Sequence, residues 1–252
     1  MKLNVKTNET MLRQIVWAVE KGIGPDVREF MQSNDMVTYN SLRIIRSDKI
    51  NTNLRSAFAV GPVELKCFNR YGWTGALLID RENLVTFTIC TERTLREIPL
   101  KKDRNIPHYL QTILYVQNAS VKGAQMSMPE VEQLSLFSDD VYQEDYKRIM
   151  DDDVSFDDGY THYCVTYDAV QGEIQFITLR LLDRNFRNAE VYSLNEYLLP
   201  DFSDLTAEDE QPQNKDARSL VSVKAGLKSE DSFETQAAPQ VATIKMEDQR
   251  QA

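Results

Sequence analysis

The chain has 252 residues, of which 42% are hydrophobic and 27% are charged, and its formal net charge is −10. This length suffices for one sizeable hydrophobic core, or for one core and a tail. No stretch approaches the roughly 18 consecutive apolar residues of a membrane span, and the first ten residues lack the apolar run of a signal peptide. We therefore expect no association with a membrane.

The cysteines and histidines restrict the chemistry further. Cys67, Cys90 and Cys164 are far apart and odd in number, which excludes a disulfide scaffold and a CxxC zinc site. Free thiols are typical of the reducing cytoplasm, where we expect the protein to reside. Only two histidines are present, His108 and His162, and neither has the neighbours that a metal site or a catalytic pair requires. We expect both to be structural, and we expect no metal and no cofactor.

Charge is distributed unevenly along the sequence. Residues 1–129 hold 18 basic and 12 acidic side chains, whereas residues 130–159 hold 2 and 11. Residues 201–252 are acidic as well, with 6 basic and 11 acidic side chains. Because the front section is net positive, the overall negative charge does not exclude its contact with nucleic acid.

The first third of the chain is predicted to be helical. Apolar residues recur at helical spacing over residues 8–33, and Gly24-Pro25 interrupts them, which predicts two successive helices. Residues 36–45 suit a strand. Ser47 is suited to cap a helix that runs to about Phe58, since its hydroxyl can accept a free amide of the first turn.

Strand signals are strongest in the middle of the chain. Apolar or β-branched runs separated by short polar turns predict strands at Val63–Phe68, Thr74–Ile79 and Leu84–Ile89. A helix should follow at Ile106–Gln117, because its apolar residues share one face.

The last part of the chain carries a second hairpin. Residues 120–140 resemble a linker, and they are followed by a short helix at Val141–Met150 and an acidic loop over residues 151–159. Strands at Tyr160–Tyr167 and Glu173–Leu182 flank a turn at Gln171-Gly172. In the first of these strands, alternation places Tyr163, Val165 and Tyr167 on one face and His162, Cys164 and Thr166 on the other. A further strand and a closing helical turn are predicted at Ala189–Tyr192 and Ser193–Leu198.

These elements predict an α+β fold in which antiparallel hairpins pack against helices. We divide the chain into a basic front section (1–119), an acidic linker with a short helix (120–159), a hairpin that completes the core (160–200) and a tail (201–252). The tail has too few large apolar residues to offset the entropy of ordering, so we expect it to be disordered.

The linker contains one motif that stands out. Gln133, Leu134, Ser135, Leu136 and Phe137 spell a pentapeptide that resembles the one with which bacterial polymerases and repair proteins bind the β sliding clamp. The resemblance implies that the Leu-Phe pair fills an apolar pocket while the glutamine amide orients the peptide. The alternative is that the three apolar side chains hold the linker against the core.

Two weaker patterns concern nucleic acid directly. Asp48, Glu64 and Lys66 resemble the Asp…Glu-x-Lys pattern of restriction-type nucleases, in which carboxylates hold a divalent cation and lysine polarises water. Ordinary surface charge and a helix start account equally for these residues. Basic residues that could contact phosphates, next to the aromatic residues Phe68, Tyr71 and Trp73, are Arg43, Arg46, Lys49, Lys66, Arg70, Lys101, Lys102 and Arg104.

Residues 68 to about 200 also resemble an uncharacterised bacterial and phage family. The similar segments are FNRYGWTGALLIDRENLVTF, IPHYLQTILYVQN, the QLSLF motif and the hairpin that begins HYCVTYDAVQGEIQF. The resemblance implies an α+β protein of prokaryotic origin and transfers no catalytic residue. The acidic tail is expected to be a departure from a shorter family pattern.

Three functions are therefore open. The first is a binding module, phage-encoded or toxin-like, that binds the sliding clamp and modulates or inhibits DNA replication. The second is a DNA-binding protein or metal-dependent nuclease that the clamp recruits. The third is an acidic protein that imitates DNA, for which residues 130–159 and the tail supply the charge.

Overall fold

The computed structural model describes residues 8–101, 103–123 and 137–198, and these residues have the predicted α+β fold. The helices are α1 (Glu9–Ile23), α2 (Pro25–Ser33), α3 (Leu42–Ala57), α4 (Glu92–Glu97), α5 (Tyr109–Gln117) and α6 (Asp139–Met150), with a short 3-10 helix at Asn195–Tyr197. The strands are β1 (Val63–Arg70), β2 (Trp73–Asp80), β3 (Val85–Thr91), β4 (Thr161–Val170), β5 (Glu173–Leu182) and β6 (Asn188–Ser193). The tail predicted over residues 201–252 lies outside the described residues.

The six strands form one sheet in the order β1-β2-β3-β4-β5-β6. All neighbours are antiparallel except β3 and β4, which run parallel with Thr91 opposite Tyr167. A parallel pair needs a long crossover, and here the crossover carries α4, α5 and α6. The two predicted hairpins are confirmed, and they close at Tyr71-Gly72 and at Gln171-Gly172. Because β3 and β4 are parallel, both turns lie toward the same end of the sheet.

Helices cover both faces of the sheet. On one face, α1 and α3 pack against residues such as Phe87 and Val165. On the other face, α5 and α6 pack against residues such as Leu77. The alternation predicted for β4 is confirmed, because Tyr163, Val165 and Tyr167 join the first of these clusters and Cys164 joins a cluster on the opposite face.

Helices α1 and α3 approach each other closely at Gly22. A Cβ atom at this position would lie 2.7 Å from the backbone nitrogen of Ile50. Glycine inside a helix costs about 1 kcal/mol relative to alanine. The close contact with α3 explains why a glycine occurs inside α1. The helix does not end at Gly22 but continues to Ile23.

The strand predicted over residues 36–45 is wrong. Helix α3 begins at Leu42, so Ser41 and not Ser47 occupies its N-cap position. Among the strands that the structure describes, none pairs with this segment, and Val37 is 97% exposed. Strand propensity reflects packing on a sheet, and a segment that no strand accompanies does not realise it.

Two further differences concern the connection between β3 and α5. Helix α4 was not predicted. Its N-cap residue is Thr91, whose hydroxyl accepts a hydrogen bond from the amide of Thr94 at 3.1 Å. Helix α5 begins at Tyr109, three residues later than predicted, because Nδ1 of His108 accepts a hydrogen bond from the amide of Leu110 at 3.2 Å.

Among the described residues, no helix has the length and apolar character that crossing a membrane requires.

Candidate functional site

The pentapeptide that resembles a clamp-binding motif directly precedes Ser138 in the sequence. Its first four residues, Gln133, Leu134, Ser135 and Leu136, are outside the described residues. Phe137 is half-buried and directly precedes Ser138, the N-cap residue of α6. Its ring meets Tyr142 edge-on, with 5.9 Å between the ring centroids. One of the two large side chains of the Leu-Phe pair therefore has a partner within the fold.

Tyr142 is held in place by contacts other than that with Phe137. Its ring stacks on Tyr115 with 4.0 Å between centroids, and its hydroxyl accepts a hydrogen bond from Nε2 of Gln111 at 3.0 Å. Tyr142 is itself fully buried. An edge-to-face aromatic pair contributes about 0.5–1.5 kcal/mol beyond the area that it buries. Tyr142 would therefore remain anchored if Phe137 moved away from it.

The candidate nuclease residues do not form a metal site. Glu64 and Lys66 lie on β1, where Glu64 pairs with Arg81 and Lys66 pairs with Asp153. Asp48 is exposed on α3, and no hydrogen bond or ion pair among the described residues joins it to Glu64 or Lys66. Across residues 8–101, 103–123 and 137–198, no group of three or more His, Cys, Asp or Glu side chains is arranged to hold a metal ion.

The basic residues proposed for nucleic acid separate into several places. Arg43, Arg46 and Lys49 lie on α3, and Lys66 is on β1 in its pair with Asp153. The remaining described candidates, Arg70, Lys101 and Arg104, lie near the turn between β1 and β2 or in the connection to α5. Lys102 lies outside the described residues. The seven described residues thus belong to several elements, and two of them, Arg43 and Lys101, both act on the carboxylate of Glu97.

Arg70 is an internal anchor rather than a surface cation. Its Nε and Nη2 atoms donate to the two carboxylate oxygens of Asp145 at 2.7 and 3.0 Å, and both side chains are largely buried. Nη2 also donates to the backbone oxygen of Pro107, and Thr112 donates to Asp145. This network joins the end of β1 to α5 and α6, and it positions the β1–β2 turn.

Aromatic rings cluster at this turn. Trp73 stacks on Tyr109 with 5.1 Å between centroids, and Phe68 packs against both rings. Tyr109 in turn lies 4.4 Å from the ring of His108. Of the three aromatic residues that the sequence singled out here, Phe68 is buried, whereas Trp73 is 48% exposed and Tyr71 is 62% exposed. The turn thus exposes the rings of Tyr71 and Trp73 to solvent, and the rings of Phe68 and Tyr109 pack beneath Trp73.

Cationic side chains lie close to this aromatic cluster. Burial, together with Arg104, Arg70 and Lys101, lowers the pKa of His108 to about 3, so that the ring is neutral at physiological pH. Arg104 makes no ion pair with any described residue, and its Nη1 atom is buried without a hydrogen-bond partner. Burial also lowers the pKa of Arg104, an effect that Asp103 opposes and Arg70 reinforces. A guanidinium in this state favours an anionic partner.

Sequence reasoning missed two contributors to this surface. Arg148, from α6, donates from Nη1 to the hydroxyl of Tyr71 at 2.8 Å, and its guanidinium lies 5.6 Å from the centre of that ring. Tyr109 supplies the base on which Trp73 stacks. Arg148 is 77 residues from Tyr71, and nothing local in the sequence connects the two.

His162 occupies a buried polar network on the α5 side of the sheet. Its Nδ1 atom is 2.7 Å from the hydroxyl of Thr86, and its Nε2 atom is 2.9 Å from the hydroxyl of Thr88. Asn118 bonds both the amide and the carbonyl oxygen of His162. Burial lowers the pKa of the imidazole to about 3. The two hydroxyls occupy both ring nitrogens, an arrangement that suits a structural histidine.

A cleft lies between the α1–α2 junction and the β4–β5 turn. Its volume is about 570 Å³, and its walls include Trp17, Lys21, Arg28, Glu173 and Leu198. This size suits a small molecule. The lining carries both cationic and anionic groups, however, and Lys21 is already paired with Asp26, so the cleft does not specify the charge of a ligand.

The fold defines an α+β protein, and its described residues contain no cluster of side chains arranged to hold a metal ion. The chain belongs to a family of unknown function, DUF5986, whose model matches residues 4–243. The expected membership of an uncharacterised family is thus confirmed, but the expected limits are wrong. The match begins well before residue 68 and includes most of the tail, which is not a departure from the family pattern. No curated protein and no solved structure matches the chain.

Proposed function

We propose that the protein is a binding module that docks on the bacterial β sliding clamp through residues 133–137 and thereby modulates DNA replication. The observation that carries the proposal is the pentapeptide Gln-Leu-Ser-Leu-Phe, which agrees with the preferred clamp-binding form at all five positions. Such peptides bind as extended segments whose anchor side chains enter pockets.

The place of Phe137 supports this proposal. The residue lies in the connection between α5 and α6, outside any helix or strand, and its ring is only half-buried. The edge-to-face geometry of the pair with Tyr142 contributes about 0.5–1.5 kcal/mol beyond the area that it buries. Burial of the leucine and phenylalanine side chains in pockets of a partner would contribute roughly 1.5–3 kcal/mol each.

Charge near the motif sets a condition on the partner. Glu130 and Glu132 precede the pentapeptide, and Asp139 and Asp140 follow it. Of these carboxylates, Asp139 accepts a hydrogen bond from the hydroxyl of Tyr115. A basic rim around the receiving pocket would therefore strengthen the association, and this contribution should weaken with salt.

The test is a calorimetric titration of purified clamp into the full-length protein. We expect Leu136→Ala/Phe137→Ala to lose about 2–4 kcal/mol of binding free energy, enough to make micromolar binding undetectable. Ser135→Asp is the matched control, because the resembling motif accepts serine or aspartate at this position, and it should bind like the wild type. A wild-type protein that ignores the clamp would refute the proposal. A double variant with a much lower melting temperature would show instead that these residues belong to the core.

A further inference from the structure

The β1–β2 turn presents two exposed rings that the fold holds rigidly. Trp73 rests on Tyr109, and Tyr109 rests on His108, so Trp73 has little freedom although nearly half of it is exposed. The ring of Tyr71 lies near two guanidinium groups, with Arg70 at 5.2 Å and Arg148 at 5.6 Å from its centre. Rings fixed in advance lose little entropy when a planar ligand stacks on them.

Tyr71 occupies a backbone position that does not suit tyrosine. Its φ is +50° and that of Gly72 is +80°, so the turn needs the left-handed conformation at both residues. Asparagine is preferred at the first of these positions, and a residue such as tyrosine adopts it at a cost of about 1 kcal/mol. Local strain of this kind concentrates at binding and catalytic sites. The turn therefore retains an exposed aromatic ring where packing alone would not select one.

Arg104 is a cationic side chain near the turn that makes no ion pair with any described residue. Nearby carboxylates are already engaged, since Asp145 pairs with Arg70, Glu144 with Arg148, and Glu97 with Arg93 and Lys101. Asp103 lies next to Arg104 in the chain, but no ion pair forms between them. The Nη1 atom of Arg104 is thus a hydrogen-bond donor without an acceptor, and Arg104 lies close enough to His108, beneath Tyr109 and Trp73, to help lower the pKa of that imidazole.

From this arrangement we infer that the β1–β2 turn binds single-stranded nucleic acid, with bases stacked on Trp73 and Tyr71 and a phosphate on Arg104. Exposed rings beside cations are the features that recognise unpaired bases and their backbone, whereas bases within a duplex are already stacked. The inference goes beyond clamp docking and uses different residues, so either proposal can fail without the other.

The α3 cations are the natural comparison. Arg46 also has a buried guanidinium nitrogen, Nε, without a partner. Tyr39 is exposed nearby in the sequence, but no described ring stacking or cation–π contact links it to Arg43, Arg46 or Lys49. This group can attract phosphates, but it has no ring held in place for a base.

The test measures fluorescence anisotropy of a labelled oligothymidine of about 12 nucleotides with the full-length protein at low salt. Tyr71→Asn keeps a residue suited to the turn but removes the ring, and we expect it to weaken binding about tenfold. Arg104→Gln should weaken binding and reduce by about one the slope of log affinity against log salt. The matched controls are Gln171→Asn, at the equivalent position of the other hairpin turn, and Arg13→Gln, an exposed cation on α1. Both should bind like the wild type.

A second readout reports stacking directly. The chain has two tryptophans, so Trp17→Phe leaves Trp73 as the only one, and the oligonucleotide should quench its fluorescence. The inference is overturned if the wild type does not bind at low salt, if Trp73 is not quenched, or if a duplex of the same length binds as tightly. It is also overturned if Arg13→Gln weakens binding while Tyr71→Asn and Arg104→Gln do not.

Discussion

Residues 133–137 and the β1–β2 turn are two proposed recognition regions of opposite kinds. The first is a continuous pentapeptide in a connection, and its one described residue, Phe137, meets the ring of Tyr142 edge-on. The second is assembled from β1, β2, α6 and the connection before α5, and a buried ion pair fixes it. The comparison shows that a linear motif can be proposed from the sequence alone, whereas an assembled surface becomes visible only in the folded structure.

The largest expected difference between the two regions concerns stability. Arg70→Ala leaves Asp145 buried without its cation, and removing one member of a buried pair costs about 3–5 kcal/mol. Phe137→Ala removes one ring contact and should cost about 1 kcal/mol. Urea denaturation of both variants measures the contrast. Arg81→Ala is the control for charge removal, since its exposed pair with Glu64 should contribute less than 1 kcal/mol. A larger loss in Phe137→Ala than in Arg70→Ala would reverse the comparison.

Acid should lower the stability of the fold through the two histidines of the chain, His162 in the sheet and His108 beside the β1–β2 turn. The pentapeptide contains no histidine. Burial lowers the pKa of His162 from its ordinary value of 6.5 to about 3. The unfolded chain therefore binds a proton that the folded chain excludes, and stability falls as the pH drops from about 6.5 toward 3. This single group should cost about 2 kcal/mol at pH 5.

The variant His162→Gln isolates this effect. Its free energy of unfolding should be less sensitive to pH between 7 and 5 than that of the wild type, by about 2 kcal/mol. Chemical denaturation at each pH provides the measurement. An unchanged pH dependence would mean that His162 is not held neutral in the folded protein. His108, whose pKa is lowered in the same direction, accounts for part of the dependence that the variant retains.

The smallest expected effect compares the two hairpin turns. Gln171 has a φ of +54° and Tyr71 a φ of +50°, and each precedes a glycine of positive φ. Gln171→Asn should stabilise the protein by up to about 1 kcal/mol, because asparagine tolerates this conformation. Tyr71→Asn gains the same relief but loses the contacts with Arg70 and Arg148, so its net change should be close to zero. Equal melting temperatures for the two variants would contradict this difference.

The sequence predicted the features that depend on local patterns and missed those that depend on contacts between distant residues. Runs such as Val63–Phe68 and Glu173–Leu182 alternate with turn residues, and this local pattern predicted both hairpins and the fold class. Helix α3 was placed too late because its first turns expose Ile44 and bury no large side chain, so no apolar periodicity marks the true start at Leu42. The pair of Arg70 with Asp145 spans 75 residues, and only the three-dimensional fold brings them together.

The same limit applied to the nucleic-acid candidates. Eight basic residues were chosen by spacing, but spacing does not show which of them have carboxylate partners. In the structure Lys66, Arg70 and Lys101 are paired, whereas Arg104 is not. Arg148 was overlooked because it lies in an acidic part of the chain, next to Glu144 and Asp145.

The measurement that tests clamp docking most directly is photo-crosslinking from position 137. Benzoylphenylalanine incorporated there in the full-length protein keeps a ring at the last position of the pentapeptide. If Phe137 leaves Tyr142 to enter a pocket of the clamp, irradiation with purified clamp should give a covalent complex, and Ser135→Asp should preserve it. Crosslinks confined to the protein's own chain around Tyr142, unchanged by the clamp, would contradict docking and assign Phe137 to the fold.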